Sequence, residues 1–432
     1  MKIRILNGKL IDPGSSHEGE FDLLIENGKI AAIERQGAIP KQEGETIDAK
    51  GLAIFPGFVD LHTHLREPGE EYKETVQTGC NAAVAGGFTT ICCMANTHPV
   101  NDHGAITEYI LGKAREANGV HVYPIGAVSK GLQGEELAEI AEMREVGAVA
   151  ISDDGRPLMN GNLTRRAMEY ARNFDLPMIS HCEDKNLSSE GVMHEGYWST
   201  RLGLPAIPSA SEEIMVARDI LLAELTGAHL HIAHVSTKGS VDLIRRAKER
   251  GIRISAEVTP HHLILTEEAL QDYDTNAKVN PPLRSEKDRQ ALWQGLKEGV
   301  IDCIATDHAP HDINSKNVDI CQAAFGMIGL ETAFSLSLRL VESGTLSLSE
   351  LIEKMTIQPA KLLGLPAGTL SMGSPADLTL VDGSRTFRYY ASLGGSKSHN
   401  SPFDQCEFKG KVVMTLIAGQ VVYTEKKDDK KD

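Results

Sequence analysis

The chain has 432 residues, 41% of them apolar and 24% charged, with a formal net charge of −16. That length supports one large domain or two to three ordinary ones, and the composition is that of a soluble globular protein. The acidic balance argues against nucleic-acid or anionic-membrane partners, and no apolar run reaches the roughly 18 residues of a membrane span.

The opening MKIRILNGKL lacks the apolar core of a signal peptide. The seven cysteines are an odd number, mostly in apolar strand-like runs. They read as reduced, buried thiols of a cytoplasmic protein. Residues 1–55 read as short strands with tight turns. Asn7-Gly8 and Asn27-Gly28 each sit between apolar runs, the signature of two-residue hairpins.

From 56 to 365 the pattern changes. Apolar runs such as "GFTTICCMAN", "LPMISHC", "AHLHIAHVS" and "GVIDCIATDH" alternate with helical patterns such as "EELAEIAEMREVG", "LTRRAMEYARNF" and "TKGSVDLIRRAKERG". Ser209 and Glu212 form a capping-box pattern ahead of "IMVARDILLAEL", predicting a helix start there. Continuous apolar strands between helices indicate a parallel sheet covered on both faces, and eight of them point to a (β/α)8 TIM-like barrel. Residues 366–424 return to strand-like runs, "ADLTLVDG" and "KVVMTLIAGQVVY". Both termini are therefore expected to build one small β-sandwich domain. Residues 425–432, EKKDDKKD, read as a disordered charged tail.

In such barrels catalytic groups sit at the carboxyl ends of the strands. The run ends carry His62 and His64, Asn96, Ser129 and Lys130, Asp153 and Asp154, His181, His234, Thr259, and Asp307. One His-x-His is weak evidence: 16 histidines give about 0.6 such pairs by chance, and a second pair exists at His229 and His231. Histidine or aspartate at most of the run ends is stronger, because both ligate metals. His62 and His64, two apart on a strand, face the same way and can hold one ion; His181 and His234 can hold a second. Two divalent ions about 3.5–4 Å apart need a bridging anion, for which Asp153 or Asp154 is placed. Asp307 closes the ring.

This donor set suits zinc best, with manganese or cobalt as alternatives. Such a centre supplies hydroxide to attack an amide carbonyl. Asp307 can orient it, take its proton and pass that proton to the departing nitrogen. The chemistry is metal-assisted amide hydrolysis or its reverse. His229 and His231 have the opposite strand parity to His234 and are expected to face the helices. Cys182 is turned away by the same parity argument relative to His181. One of His261 and His262 could reach the mouth, and Lys130 either approaches the ligand or is solvated.

The blocks "PGFVDLHTHLREPG", "GFTTICCMANT", "ISDDG", "SHCED", "IAHVSTKGS", "VTPHHL", "VNPPLR", "ATDHAPH" and "FGMIGLET", in this order, resemble bacterial class I dihydroorotases of the amidohydrolase superfamily over residues 2–424. The resemblance implies reversible cyclisation of N-carbamoyl-L-aspartate to L-dihydroorotate in pyrimidine biosynthesis. It implies two zinc ions per subunit on His62, His64, Asp154, His181, His234 and Asp307, bridged by Asp154 and hydroxide, with Asp307 as acid/base. Substrate contacts are implied at His64, Arg66, Asn96, Asn280, His311 and the backbone of Phe325 and Gly326. The Arg66 fork suits a ring carboxylate, which hydantoin, dihydrouracil and allantoin lack; the local alternative is a surface pair with Glu67 or Glu70. Many relatives bridge their metals with a carboxylated lysine, but no lysine lies between Lys130 and Lys185. Ala324 stands where the family usually has proline, which is expected to loosen the 308–324 loop, itself read as a mobile flap. A homodimer and association with aspartate transcarbamoylase are further expectations. The alternatives are a dihydropyrimidinase, hydantoinase or allantoinase, and a non-catalytic scaffold for the transcarbamoylase.

Overall fold

The computed structural model describes residues 2–40 and 44–425, so the charged tail beyond Glu425 lies outside the described residues. Eight strands form one sheet in chain order: Phe58–Thr63, Phe88–Cys93, His121–Gly126, Ala150–Ser152, Met178–Ser180, Leu230–Ile232, Ile254–Val258 and Cys303–Ile304. Every pairing is parallel. The sheet closes where Thr63 bridges to His308 and the His64 N–H donates to the His308 carbonyl at 2.9 Å. Helices including Val76–Ala85, Gly104–Glu116, Gly161–Arg172, Ala210–Thr226 and Lys238–Glu249 separate the strands. Alternation explains the unbroken apolar runs: Cys92, Ile125 and Ile179 fill one core, while Ile91, Val122 and Met178 pack with helical side chains such as Ile110, Met168 and Ile244. A strand buried on both faces has no polar side to show.

Strands from both termini share a second sheet. Ala53–Pro56 pairs parallel with Lys2–Asp12 and antiparallel with Leu378–Arg388, and Glu407–Ile417 and Gln420–Thr424 follow. Ile5, Leu23, Leu378 and Leu416 belong to one core, to which both ends of the chain contribute. No helix among the described residues is long and apolar enough to cross a membrane.

Two local expectations are corrected. Asn27-Gly28 turns a hairpin as predicted, with φ of 50° and 78°, but Asn7-Gly8 lies inside the strand Lys2–Asp12. The Asp22 carboxylate accepts the Asn7 N–H at 2.9 Å, and the extra residue is absorbed as a shift of register between Ile5 and Gly8. Such a bulge uses the same left-handed residue as a turn. Ser209 precedes a helix, yet makes no side-chain cap. The Glu212 carboxylate instead accepts the N–H groups of Ser236 and Thr237 at 3.1 and 3.2 Å, bracing the chain just beyond His234.

Candidate metal centre

The barrel mouth gathers six side chains from five strand ends. Asp154 lies in their midst. Its Oδ1 is 3.5 Å from His62 Nε2, 3.4 Å from His181 Nδ1 and 3.4 Å from His234 Nε2, and its Oδ2 is 3.5 Å from His64 Nε2. Asp307 Oδ1 is 3.0 Å from His64 Nε2 and 3.5 Å from His62 Nε2. Asp153 turns the other way. Its carboxylate accepts from the Val128 and Ser129 backbone at 2.7 and 3.1 Å and from the Ser129 hydroxyl, holding the loop after the third barrel strand.

These groups strongly favour positive charge. Burial opposes it, but the carboxylates of Asp154, Asp307 and Glu257 hold the His62 imidazole well above its usual value. Against the same burial, Asp154 and Glu183 lift His181 to about 9. Burial would raise the Asp154 and Asp307 carboxyls, yet His62 first, with its neighbouring imidazoles, holds both below the carboxylate range. The field that draws protons onto imidazoles equally suits a dication. A second observation fits a metal more narrowly: His62 Nε2 and Asp154 Oδ1 are buried and have no hydrogen-bond partner. His62, His64 and Asp307, and separately His62, Asp154 and His234, bring donor atoms within 4.8 Å of one another. Nitrogen and oxygen donors of this kind suit zinc and its neighbours.

Beside this cluster a cavity of about 260 Å³ is lined by Arg66, Asn96, Asn280, His311, Phe325 and Gly326, together with His64, His181, Asp154 and Asp307. Every residue expected from the sequence to contact substrate therefore borders one space. Arg66 is only 8% exposed; its Nε donates to the Pro310 carbonyl at 3.2 Å, and Glu70 stands off at 3.9 Å. It is not a surface pair. His64 Nδ1 is 2.9 Å from Asn96 Oδ1, and Asn280 Nδ2 donates to Glu183 at 2.9 Å. Burial first, then Arg66, pushes His311 down to about 2, so its ring is neutral. Its Nε2 reaches the Phe325 carbonyl at 2.8 Å.

Residues 51–240 match the family model for dihydro-orotase-like proteins. The chain is 54% identical over 426 residues to the dihydroorotase of Syntrophus aciditrophicus (strain SB), covering 98% of this chain and 100% of that one. It is 50% identical over 423 residues to the dihydroorotase of Syntrophotalea carbinolica (strain DSM 2380 / NBRC 103641 / GraBd1), covering 98% and 99%. The chain belongs to the dihydroorotase family. Among solved structures, the L-hydantoinase (dihydropyrimidinase) of Arthrobacter aurescens superposes with a TM-score of 0.88 at 27% identity, covering 98% of this chain and 96% of that one. The barrel and its flanking sheet are thus common to dihydroorotases and hydantoinases.

Several expectations within this dihydroorotase framework are revised. His231 does not face the helices. Its Nδ1 is 2.8 Å from Ser255 Oγ and its Nε2 3.1 Å from Glu257, and His229 reaches the same Ser255 hydroxyl at 2.9 Å. The parity argument fails because the strand ends at Ile232 and His234 takes φ of 33°, which resets the side-chain direction. Cys182 contacts Ser180 and Asp219 and, as expected, takes no part. Lys130 is half exposed and faces Glu136 and Glu139. His262 is occupied by Thr259 and Pro281, and neither it nor His261 lines the cavity.

The 308–324 loop is braced rather than free. Lys316, 3% exposed, donates to the carbonyls of Ala324 and Gly326 at 2.7 and 2.9 Å. Lys278 donates to Ile320 at 2.7 Å and stacks its ammonium over the Phe325 ring at 4.3 Å. Ala324 tightens the loop, since its N–H donates to the Ser315 carbonyl at 3.0 Å, a bond proline cannot make. Glu183, Glu257 and the two lysines were not picked out from the sequence. Glu183 alone carried a signal, lying two residues beyond His181.

Proposed function

We propose that this chain is a zinc-dependent dihydroorotase, interconverting N-carbamoyl-L-aspartate and L-dihydroorotate in pyrimidine biosynthesis. The observation that carries the reading is the buried Arg66 guanidinium bordering the same cavity as the His/Asp cluster, one side recognising a ring carboxylate and the other attacking a ring amide. His62, His64, Asp154, His181, His234 and Asp307 would hold two divalent ions. Metal held by these residues would supply Lewis acidity for an amide carbonyl and hydroxide near neutral pH.

The chain's own groups do the rest. Arg66 pairs with the ring carboxylate through its planar fork. Asn96, Asn280 and the neutral His311 fix the ring against the wall formed by Phe325 and Gly326. In the opening direction, Asp307 takes the proton of the attacking oxygen and delivers it to the ring nitrogen as the C–N bond breaks; closure retraces that path. All six candidate ligands converge on one point, which favours an active enzyme over a scaffold. A homodimer, and association with aspartate transcarbamoylase without loss of activity, belong to the same proposal; sedimentation of the chain alone and with the transcarbamoylase tests them.

Elemental analysis of purified protein, paired with turnover of L-dihydroorotate, dihydrouracil and allantoin, tests the reading. About two zinc per chain is expected on the two-metal scheme, with selective dihydroorotate turnover that collapses in Arg66→Ala and Asp307→Asn. Bound zinc with turnover of dihydrouracil or allantoin instead would move the chain to the hydantoinase group, and no turnover at all would favour the scaffold.

A further inference from the structure

We propose that Asn400, contributed by the segment between the strands Leu378–Arg388 and Glu407–Ile417, is a positioning residue for Arg66 and thereby for carboxylate recognition. The inference rests on the dihydroorotase reading above.

Asn400 is 5% exposed, and both ends of its side-chain amide are hydrogen-bonded. Its Nδ2 donates to the carbonyls of Ala309 and Gly326 at 3.0 and 3.1 Å, and its Oδ1 accepts the His311 N–H at 2.9 Å. Its own carbonyl accepts from Ile328 N–H at 3.0 Å. Ala309 and His311 flank Pro310, whose carbonyl is the acceptor for Arg66 Nε. The amide therefore grips both sides of Pro310, in the manner of a neighbouring strand, and fixes the direction of that carbonyl. The same amide ties Gly326, on the far limb of the loop, to the near limb. Gly326 has φ of 131°, and a Cβ there would fall 2.7 Å from the Ala309 Cβ, so the two limbs meet without room for error.

The surrounding segment fixes Asn400 in turn. Ser396 Oγ donates to the buried Glu74 carboxylate, the Lys397 N–H donates to Glu74 at 3.0 Å, and Ser398 Oγ donates to the Lys73 carbonyl at 2.6 Å. Glu74 also meets His308 at 3.3 Å. Residues 396–400 thus strap the loop that carries Arg66 to the loop that carries His311. Two donors and one acceptor at a buried point suit asparagine; aspartate has no donor and leucine has neither. Arg66 needs such external support because its guanidinium is buried and its carboxylate neighbour, Glu70, is 3.9 Å away.

The test is steady-state kinetics on metal-replete Asn400→Ala and Asn400→Ser, beside Arg66→Lys, the double variant Asn400→Ala/Arg66→Lys, and Ser335→Ala. Ser335 donates a buried hydrogen bond to the Gly410 carbonyl at 2.7 Å, outside the cavity lining, and serves as a control for lost stability. Expected for Asn400→Ala is a KM for dihydroorotate raised about five-fold or more, with kcat within about two-fold, the pattern of lost uniform binding. Metal content should be unchanged, and the effect should shrink in the Arg66→Lys background, as for residues acting on one group. Asn400→Ser, which keeps one polar group, should fall between and supplies the answer if the alanine variant does not fold. Unchanged KM, additivity with Arg66→Lys, or a joint loss matching Ser335→Ala would overturn the proposal. Failure of the wild type to turn over dihydroorotate would instead sink the underlying reading.

Discussion

His62 Nδ1 and Glu257 Oε1 are 2.7 Å apart in a contact from which solvent is excluded. Glu257 Oε2 meets His231 Nε2 at 3.1 Å, His231 Nδ1 meets Ser255 Oγ, and Ser255 Oγ meets His229 Nε2. One assignment of protons satisfies the whole chain: His229 donates to Ser255, Ser255 to His231, and His231 and His62 both donate to Glu257. With the His62 ring neutral, as metal ligation requires, that assignment leaves its Nε2 lone pair bare, aimed at Asp154 and Asp307. Glu257 therefore fixes the ring and tautomer of a candidate ligand from behind.

Glu257→Gln tests this. A glutamine has one acceptor oxygen, so its NH2 opposes either His62 or His231. Metal affinity is expected to fall about 10–100-fold, the usual effect of losing such support, with the fold retained. Competitive chelator titration of the two proteins measures it. Equal affinities would mean that the His62 ring is held by packing alone.

Lys316 offers a test free of the metal. Burial first, then Lys278, lowers its ammonium from 10.5 to about 7. Below about 7 both the folded and unfolded chains carry the proton, and this group adds no pH dependence. Between about 7 and 10.5 the unfolded chain binds a proton that the folded chain sheds, so stability from this group rises with pH. Urea midpoints from pH 7 to 10 should climb more steeply in the wild type than in Lys316→Met. Identical slopes would show that the lysine keeps its proton throughout, held by the carbonyls of Ala324 and Gly326.

The barrel and its mouth were legible because doubly buried parallel strands leave unbroken apolar runs, and histidine or aspartate at most of the run ends stands out against them. Glu257 was hidden for the same reason. It lies within "ISAEV", a run that reads as apolar strand, and its partners are 26 and 195 residues away in sequence. Parity misplaces His231 because it holds only while the strand stays extended, and the chain turns left-handed at His234. Glu212 looked like a local helix cap, but a tertiary demand for the Ser236 and Thr237 amides outcompeted it. Asn400 could not be found by pattern, since the carbonyls it holds belong to residues 74 and 91 positions away in sequence.

Ala324 turns this into a prediction about the loop. The expectation from the family resemblance is that proline at 324 would stiffen the 308–324 segment and that Ala324 leaves it looser. The structure argues the reverse, because Ala324 supplies a backbone N–H to Ser315 while its carbonyl takes Lys316 Nζ. Proline keeps the carbonyl but removes the donor, leaving the Ser315 carbonyl short of its partner at a cost of about 1 kcal/mol. Ala324→Pro should therefore be cut faster within residues 308–324 in limited proteolysis. It should also raise KM more than it lowers kcat, since the loop carries His311 and leads into Phe325 and Gly326. Slower cleavage and a higher melting temperature would show instead that proline's smaller unfolded-state entropy outweighs the lost bond, and that the buried lysines alone suffice to hold the loop.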